Sequence, residues 1–167
     1  VMPGGYTVQV TGKPDASGLV IAEIYEGAGV ERTAATPRLI NLSTLAQIDA
    51  GADLAVGFVI GGQTARTVLV RGAGPSLVQF DIADFMVDPR LELFNNDTGV
   101  RIAANDNWNA SLEIFSTAAS ISAFPLVGPL SKDAVLLVTL PPGAYSARVS
   151  GVGDTGGTAI VEVYEVP

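Results

Sequence analysis

Two segments of this chain have closely related sequences. Residues 3–26 read PGGYTVQVTGKPDASGLVIAEIYE, and residues 142–165 read PGAYSARVSGVGDTGGTAIVEVYE. They align without a gap at an offset of 139 positions, and 11 of the 24 aligned positions are identical. All four tyrosines of the chain lie in these two copies. A repeat of this kind indicates that the chain contains copies of one structural unit.

Each copy has the pattern of a β-hairpin. A Pro-Gly turn precedes an alternating strand, a loop rich in Gly and Asp follows, and a second strand ends in Tyr-Glu. In the first copy this pattern predicts paired strands at 6–11 and 19–25. The sequence therefore predicts an N-terminal β-hairpin, residues 1–27, which repeats a C-terminal hairpin, residues 140–166.

The repeat predicts the domain organisation. Residues 28–37 are small and polar without periodicity, which is typical of a linker, and residues 38–167 form one complete module. Residues 1–27 are then either the tail of a preceding module in a tandem array, or a connector that pairs with an exposed sheet edge of a neighbouring subunit. In both cases the assembly contact involves Tyr6, Val8, Val10, Val20, Ile24 and Tyr25.

The rest of the chain consists of short strand patterns separated by Gly and Pro. Strand 67–71 is the expected hairpin partner of strand 54–60. The predicted strands are 38–42, 54–60, 67–71, 91–94, 100–104, 134–139, 145–150 and 158–164. With the N-terminal hairpin they number about ten, which predicts an all-β fold, an antiparallel β-sandwich or jelly roll. The buried face is expected to include Leu54, Val56, Phe58, Ile60, Val68, Val70, Leu91, Leu93, Leu136 and Val138.

One short helix is predicted within residues 111–121. Asn109 or Ser111 is a candidate N-cap. The apolar residues expected to face inward are Leu112, Ile114, Phe115 and Ala118.

The composition excludes several classes of function. The chain has no cysteine and no histidine, which removes disulfides, Cys/His zinc sites and histidine-dependent catalysis. A net charge of −8 disfavours binding to nucleic acid or to an anionic membrane. No apolar run approaches the length of a membrane span, which is about 18 residues or more. We therefore expect no catalytic residue, no required cofactor and no enzyme activity.

Two polar turns are the candidate metal site. Asn95 and Asp97 lie in one turn, and Asn105 and Asp106 lie in another. Ca²⁺ binds six to eight oxygens from carboxylates, amides and backbone carbonyls, and two such turns on adjacent strands offer that set. The alternative is that these side chains form Asx turns with their own backbone.

Two further motifs have a structural and a functional interpretation. The segment Gly72–Ser76, GAGPS, is similar to a glycine-rich phosphate loop, but it lacks the Lys-Ser/Thr ending and Pro75 removes an N–H donor. We interpret it as a tight turn that leaves a strand. Trp108 is the only tryptophan; we favour a core or lid residue over a sugar-stacking platform.

Several segments together resemble a known repeat module. They are RLINLSTLAQIDAG, LAVGFVIGG, TVLVRGAGPSL, DPRLELFNNDTG and SKDAVLLVTLPPGAYSARVSGVG. They resemble a module of large exported proteins of environmental bacteria, Verrucomicrobia among them. The half from Asp88 onward also resembles the bacterial pre-peptidase C-terminal domain, a jelly-roll module that accompanies secreted enzymes. The resemblance implies an exported, non-catalytic protein located outside the cell or on its surface.

The sequence favours a non-catalytic structural or adhesive module that assembles in series, as a fibre or a tandem array, through its N-terminal hairpin. Its partners are copies of itself or adjacent modules. The alternative is an accessory module of a secreted enzyme that binds calcium or a surface glycan. Because the chain starts at Val1 without a signal-peptide pattern, we expect a processed chain or a piece of a longer one.

Overall fold

A computed structural model describes residues 2–15, 18–26 and 36–167. The chain divides into two units, Val1–Leu39 and Ile40–Pro167. Most of the predicted linker, 28–37, lies outside the described residues. We consider the second unit first because it contains every strand and helix of the described chain.

The second unit has eight strands and one α-helix in its described residues. The elements are β1 (Asn41–Ile48), β2 (Asp53–Ile60), β3 (Arg66–Ala73), β4 (Pro89–Asn95), β5 (Arg101–Asn105), α1 (Leu112–Ser120), β6 (Ala134–Leu140), β7 (Gly143–Gly151) and β8 (Gly157–Val166). Two 3₁₀ helices, Pro75–Phe80 and Val152–Asp154, lie in the connections. The strands predicted from β2 onward are confirmed, whereas β1 begins later than the predicted 38–42.

The strands form two four-stranded antiparallel sheets. Their orders are β1-β8-β3-β6 and β2-β7-β4-β5. The first strand pairs with the eighth, the second with the seventh, the third with the sixth and the fourth with the fifth. This is one long antiparallel hairpin rolled into two facing layers, the topology of an eight-stranded jelly roll. The predicted sandwich or jelly roll is thus observed, with eight strands rather than about ten.

Two predicted hairpins are wrong in their pairing. β2 and β3 lie in different sheets, and so do β7 and β8. The segment 143–166, which we call the C-terminal arch, therefore crosses from one sheet to the other. β7 lies between β2 and β4, while β8 lies between β1 and β3. The arch thus supplies a central strand to each sheet.

A glycine permits the sharp entry into β8. Gly157 has a φ of 142°, and a Cβ atom built on it would lie 2.6 Å from the backbone nitrogen of Met86. The neighbouring Thr158 donates its N–H to the carbonyl of Asp84 and accepts from the N–H of Met86. Only glycine has both the conformational freedom and the small size for this position. The corresponding residue in the first copy of the repeat is Gly18.

The inner faces of the two sheets form the main core. All ten residues that the sequence placed on the buried face belong to this core or pack against it, Leu54, Phe58, Leu136 and Val138 being partly buried at its margins. Leu91, Leu93 and Val149 are fully buried. The prediction of the core is confirmed because alternation identifies the buried face of each strand.

A second apolar cluster lies on the outer face of the sheet that contains β3. Leu69, Val135 and Trp108 are buried there beneath α1. Ser111 caps α1, since its hydroxyl accepts the N–H of Ile114 at 3.3 Å. Ile114 and Ala118 pack against this cluster as expected.

The predicted inward orientation is wrong for the two largest helix residues. Leu112 is 82% exposed and Phe115 is 59% exposed. Both side chains are therefore largely open to solvent. Among the described residues, no helix is long and apolar enough to cross a membrane.

The predicted N-terminal hairpin is not observed in the described residues of the first unit. Residues 2–15 and 18–26, which we call the N-terminal segment, contain no strand. Its apolar side chains are exposed, among them Val8, Val10, Val20 and Ile24. Two strands alone cannot bury an apolar face, and an isolated hairpin is marginal in water.

Truncation of the core should measure how much the sandwich depends on its inner faces. Leu93→Ala should lower the free energy of unfolding by about 2–5 kcal/mol, because it removes a fully buried side chain and leaves a cavity. The control Leu130→Ala, at a position 93% exposed, should change it by less than about 0.5 kcal/mol. Denaturant unfolding gives both values. A loss below about 0.5 kcal/mol for Leu93→Ala would contradict the placement of β4.

Candidate functional site

The outer face of β3 carries an ion pair beneath the second apolar cluster. Arg71 on β3 lies opposite Glu162 on β8 in the strand register. The Arg71 Nε and Nη2 atoms donate to the Oε2 atom of Glu162 at 2.8 and 2.5 Å. Both side chains are nearly inaccessible to solvent, at 1% and 3% of their residue surface. Such a pair is retained only when its remaining hydrogen-bonding capacity is satisfied.

Aromatic residues and a backbone carbonyl complete the surroundings of Arg71. Its Nη1 atom donates to the carbonyl oxygen of Phe124 at 2.6 Å. The guanidinium carbon lies 3.9 Å from the centre of the Phe124 ring, an arrangement that favours a cation over an aromatic face. Phe80 packs edge-on against Phe124. The three nitrogens of the guanidinium are thus all engaged by the protein itself.

Tyr164 extends the polar network. Its hydroxyl donates to the Oε1 atom of Glu162 at 2.7 Å. Burial raises the pKa of Tyr164 well above its ordinary value, and the negative charge of Glu162 and the hydrogen bond to it raise this pKa further. Glu162 therefore has one partner across the strand pair, Arg71 on β3, and one partner on its own strand, Tyr164.

A cavity lies between this network and α1. Its volume is about 170 Å³, and it is partly open to solvent. We call it the Arg71 pocket. Its lining residues are Arg71, Trp108, Ile114, Phe115, Ala118, Ala119, Ala123, Phe124, Pro125 and Leu126. Trp108 is 8% exposed, and its indole Nε1 atom is buried without a hydrogen-bond partner. The interpretation of Trp108 as a core or lid residue is confirmed.

The segment GAGPS is held by a buried carboxylate. Asp133 is fully buried and accepts the N–H groups of Gly74 and Ser76 at 2.9 and 3.2 Å. It also accepts the hydroxyls of Ser76 and Ser131. The N–H groups that could attract a phosphate are therefore occupied by the protein's own carboxylate. The interpretation of this segment as a turn that leaves a strand is confirmed.

The four candidate metal ligands are not brought together. The Oδ1 atom of Asn95 accepts the N–H groups of Asp97 and Thr98, which forms an Asx turn. The Oδ1 atom of Asn105 accepts the N–H of Val135 on β6. These bonds match the alternative that the side chains serve their own turns and a neighbouring strand.

The strand register explains why a shared ion does not fit. The turn with Asn95 follows β4, whereas Asn105 and Asp106 lie at the far end of β5, where Asn105 is paired with Leu91. The five residues of β5 span roughly 15 Å, and oxygens on one Ca²⁺ lie at most about 5 Å apart. Among the described residues, no group of three or more acidic side chains could hold a metal ion. The structure therefore places the two turns at opposite ends of β5.

The six predicted assembly residues lie in the N-terminal segment, and all are exposed. Two hydrogen bonds there match bonds of the C-terminal arch. The hydroxyl of Tyr6 donates to the carbonyl of Met2 at 2.6 Å, and that of Tyr25 donates to Glu23 at 2.8 Å. The bond to Glu23 and the charge of that carboxylate raise the pKa of Tyr25.

The matching bonds in the C-terminal arch lie 139 positions later. Tyr145 donates to the carbonyl of Pro141 at 2.9 Å, and Tyr164 donates to Glu162 at 2.7 Å. The N-terminal segment thus has the tyrosine contacts of the arch without its burial.

Sequence reasoning missed the Arg71–Glu162 pair. Arg71 ends the apolar run TVLVR, where an arginine is usually a solvated strand end. The one available signal is Glu162, an acidic residue inside the strongly apolar run AIVEV. A charge in such a run indicates a buried partner.

Comparisons with known proteins give a likeness among solved structures. No family model matches the chain, and no curated protein matches it. Among solved structures, the crystal structure of the pre-peptidase C-terminal domain of a collagenase from Bacillus anthracis is similar, with a TM-score of 0.45 and 11% sequence identity. The match covers 74% of this chain and 89% of that chain.

The buried pair should be sensitive to loss of one partner. Glu162→Gln should lower the free energy of unfolding by about 3–5 kcal/mol, because it leaves the charge of Arg71 buried without compensation. The control Asp53→Asn removes one partner of an exposed pair, with 3.8 Å between the Asp53 and Arg148 atoms, and should cost no more than about 1 kcal/mol. Denaturant unfolding measures both losses of free energy. If Glu162→Gln costs as little as Asp53→Asn, the Arg71–Glu162 pair is not desolvated.

The stability of the protein should fall at alkaline pH because of Tyr164. Its pKa is raised in the folded state, so the unfolded chain releases this proton first as the pH rises above the ordinary value of 10.0. The free energy of unfolding should therefore decrease above that pH, and less steeply in Tyr164→Phe. The exposed Tyr6→Phe is the control and should keep the slope of the wild type. Identical slopes for the wild type and Tyr164→Phe would contradict the raised pKa.

Proposed function

We propose that this chain is part of a series of like modules, in which the N-terminal segment is the C-terminal arch of a preceding copy. The module has a non-catalytic, structural or adhesive role. One observation carries the proposal: the segment that is repeated corresponds to strands at the centres of both sheets. Strands at the centre of a sheet are paired along both edges, and the described residues of the N-terminal segment, 2–15 and 18–26, have no strand partner.

The burial of equivalent positions supports this assignment. On the first strand, the exposed residues are Tyr6, Val8 and Val10. Their equivalents in the arch, Tyr145, Ala147 and Val149, are all buried in the core. On the second strand, the equivalents of Val20 and Ile24 are likewise core residues, Ala159 and Val163. The exposed apolar residues of the N-terminal segment therefore match the inward positions of an arch. In a complete preceding module they would be buried.

The two tyrosine bonds support the same equivalence. They form in the N-terminal segment although none of its described residues lies in a strand. The local conformation at these positions is therefore set by the repeat sequence itself. Glu23 corresponds to Glu162, and Glu162 is bonded to the guanidinium of Arg71 on β3. In the array, the partner of Glu23 would be the equivalent arginine of the preceding copy.

The structure favours the array over docking on a complete neighbour. In a complete module the central places are already filled by its own C-terminal arch. A second arch could only pair with an edge strand, and there it would not make the contacts that β7 and β8 make at the centres of the sheets. A preceding copy that ends in residues 2–26 has these places open for them. The extracellular or cell-surface location is part of the proposal and depends on the resemblance described above.

A designed two-module chain tests the proposal. Residues 36–140 are joined in front of residues 2–167, so that Leu140 precedes Met2 as it precedes Pro141 in the native chain. We expect amide protons of residues 6–11 and 19–25 to become protected from hydrogen exchange, because both strands gain partners. In the native chain the same amides should exchange rapidly.

Two variants at equivalent positions, one in each arch, test which module each arch completes. Val10→Asp should remove the protection in the added module only, and the equivalent Val149→Asp should remove it in the native module only. The proposal fails if the native module folds while residues 6–11 and 19–25 stay unprotected. In that case, light scattering of the native chain decides the alternative. A mass that increases with protein concentration would support the interpretation of residues 1–27 as a connector between subunits.

A further inference from the structure

We propose that the N-terminal segment fits a module whose core differs from the core of this one, so that its partner is a non-identical module and not a second copy of this chain. This inference rests on the proposed series of modules and adds which kind of module the segment completes. It follows from the positions at which the two copies of the repeat differ. Three of these positions are fully buried in the C-terminal arch, and a fourth has a special backbone conformation.

The first difference adds bulk at the centre of one sheet. Val8 corresponds to Ala147, which is fully buried on β7. In the strand register Ala147 lies opposite Val56 on β2 and Leu93 on β4. Directly opposite residues of antiparallel strands point to the same face, so two larger buried side chains border this alanine. A valine there adds two methyl groups to a fully buried position and overpacks the core.

The second difference adds bulk to the other sheet. Val20 corresponds to Ala159, which is fully buried on β8. Gly157 lies two residues earlier on the same face of β8, and a Cβ atom built on it would lie 2.6 Å from the backbone of Met86. Small residues occupy this end of β8 because the backbone at Met86 packs closely against it. The additional methyl groups of a valine therefore overpack this region as well.

The third difference removes bulk. Ala22 corresponds to Val161, which is fully buried on β8. Val161 lies opposite Gly72 on β3, and a glycine has no side chain that could fill the space left by a smaller neighbour. An alanine there leaves a cavity. Because the differences have opposite signs, the segment requires a core of another shape, with more room at Val8 and Val20 and less at Ala22.

The loop between the two strands differs in backbone conformation. Gly153 has a φ of 67°, and the corresponding residue of the N-terminal segment is Pro14. The proline ring holds φ at about −65°, so the segment cannot adopt the loop conformation of the C-terminal arch. In this module the loop is bonded to the connection before β4, since Val152 donates its N–H to the carbonyl of Asp88. We therefore expect a different loop contact in the module that the segment completes.

Different cores would keep the arches of neighbouring modules from exchanging. Linked modules are at a high effective concentration relative to one another, and exchange of an identical element is a low-cost route to swapped structures. An arch that overpacks one part of the neighbouring core and underfills another is disfavoured there. Each module of the series would thus select its own arch.

The two-module chain described above compares the two arches on the same core. Both of its modules contain residues 36–140 and differ in the arch that completes them. We expect the amides of residues 6–11 and 19–25 to be protected from hydrogen exchange, but at least about tenfold less than their equivalents at 145–150 and 158–164. The reason is that an overpacked core with a cavity is less stable than the native one.

An exchange of core residues between the arches should exchange their protection. An adapted segment with Val8→Ala, Val20→Ala and Ala22→Val should gain at least about tenfold in protection. The reciprocal pair Ala147→Val and Ala159→Val should lower protection in the native module. If this double variant leaves the native module unfolded, Ala147→Val alone replaces it.

The control changes outward residues of the N-terminal segment to those of the C-terminal arch. Thr7→Ser and Gln9→Arg correspond to Ser146 and Arg148, which lie outside the core cluster. They should leave protection of residues 6–11 and 19–25 unchanged within about twofold, because surface substitutions have small effects. A gain as large as that of the adapted segment would contradict the role of the core positions.

The outcomes separate this inference from the proposed series. Equal protection of the two wild-type arches, or no gain in the adapted segment, would overturn the inference and leave the series in place. The segment would then fit a second copy of this chain. Absence of protection in both the wild-type and the adapted segment, while the native module is folded, would instead contradict the series itself.

Discussion

The fold depends on the pairing of the C-terminal arch along four strand edges. β7 is paired with β2 and β4, and β8 is paired with β1 and β3. The last 25 residues of the jelly roll (143–167) therefore join strands from nearly the whole preceding sequence into two sheets. Most of the sandwich is incomplete until this arch is in place. The same requirement explains why the described residues of the N-terminal segment, which have the arch sequence without the other strands, contain no strand.

The outer layer of the molecule depends on a different interaction. β3 is buried on both faces, since Val68 and Val70 face the sandwich core and Leu69 and Arg71 face α1. A charged residue on a strand that is covered on both sides must be neutralised inside the protein, and Glu162 does this. The Arg71 pocket lies between this ion pair and α1, and residues of α1 and of the segment 123–126 line it.

The sequence predicts the strands and the core well, but not the pairing. Alternation shows which side chains of a strand are buried, so Leu91, Leu93 and the other core residues were predictable. It does not show which strand is the neighbour, because a Gly/Asp-rich turn serves a hairpin and a crossing between sheets equally well. The burial of Arg71 was not predicted because the residues that bury it, among them Phe124 and Glu162, lie far along the chain. The calcium prediction joined two turns that the strand register separates, because the side chains that form an Asx turn are also the ones that bind a metal.

The pairing of β1 with β8 has a mechanical consequence. Asn41, the first residue of β1, lies opposite Tyr164, close to the end of β8. The chain therefore enters and leaves the sandwich at the same end of one sheet. A force applied to the two ends would separate β1 from β8 one hydrogen bond at a time, like a zipper, instead of shearing all of them together. The module would therefore open at low force, and in the proposed series each module would extend separately under tension.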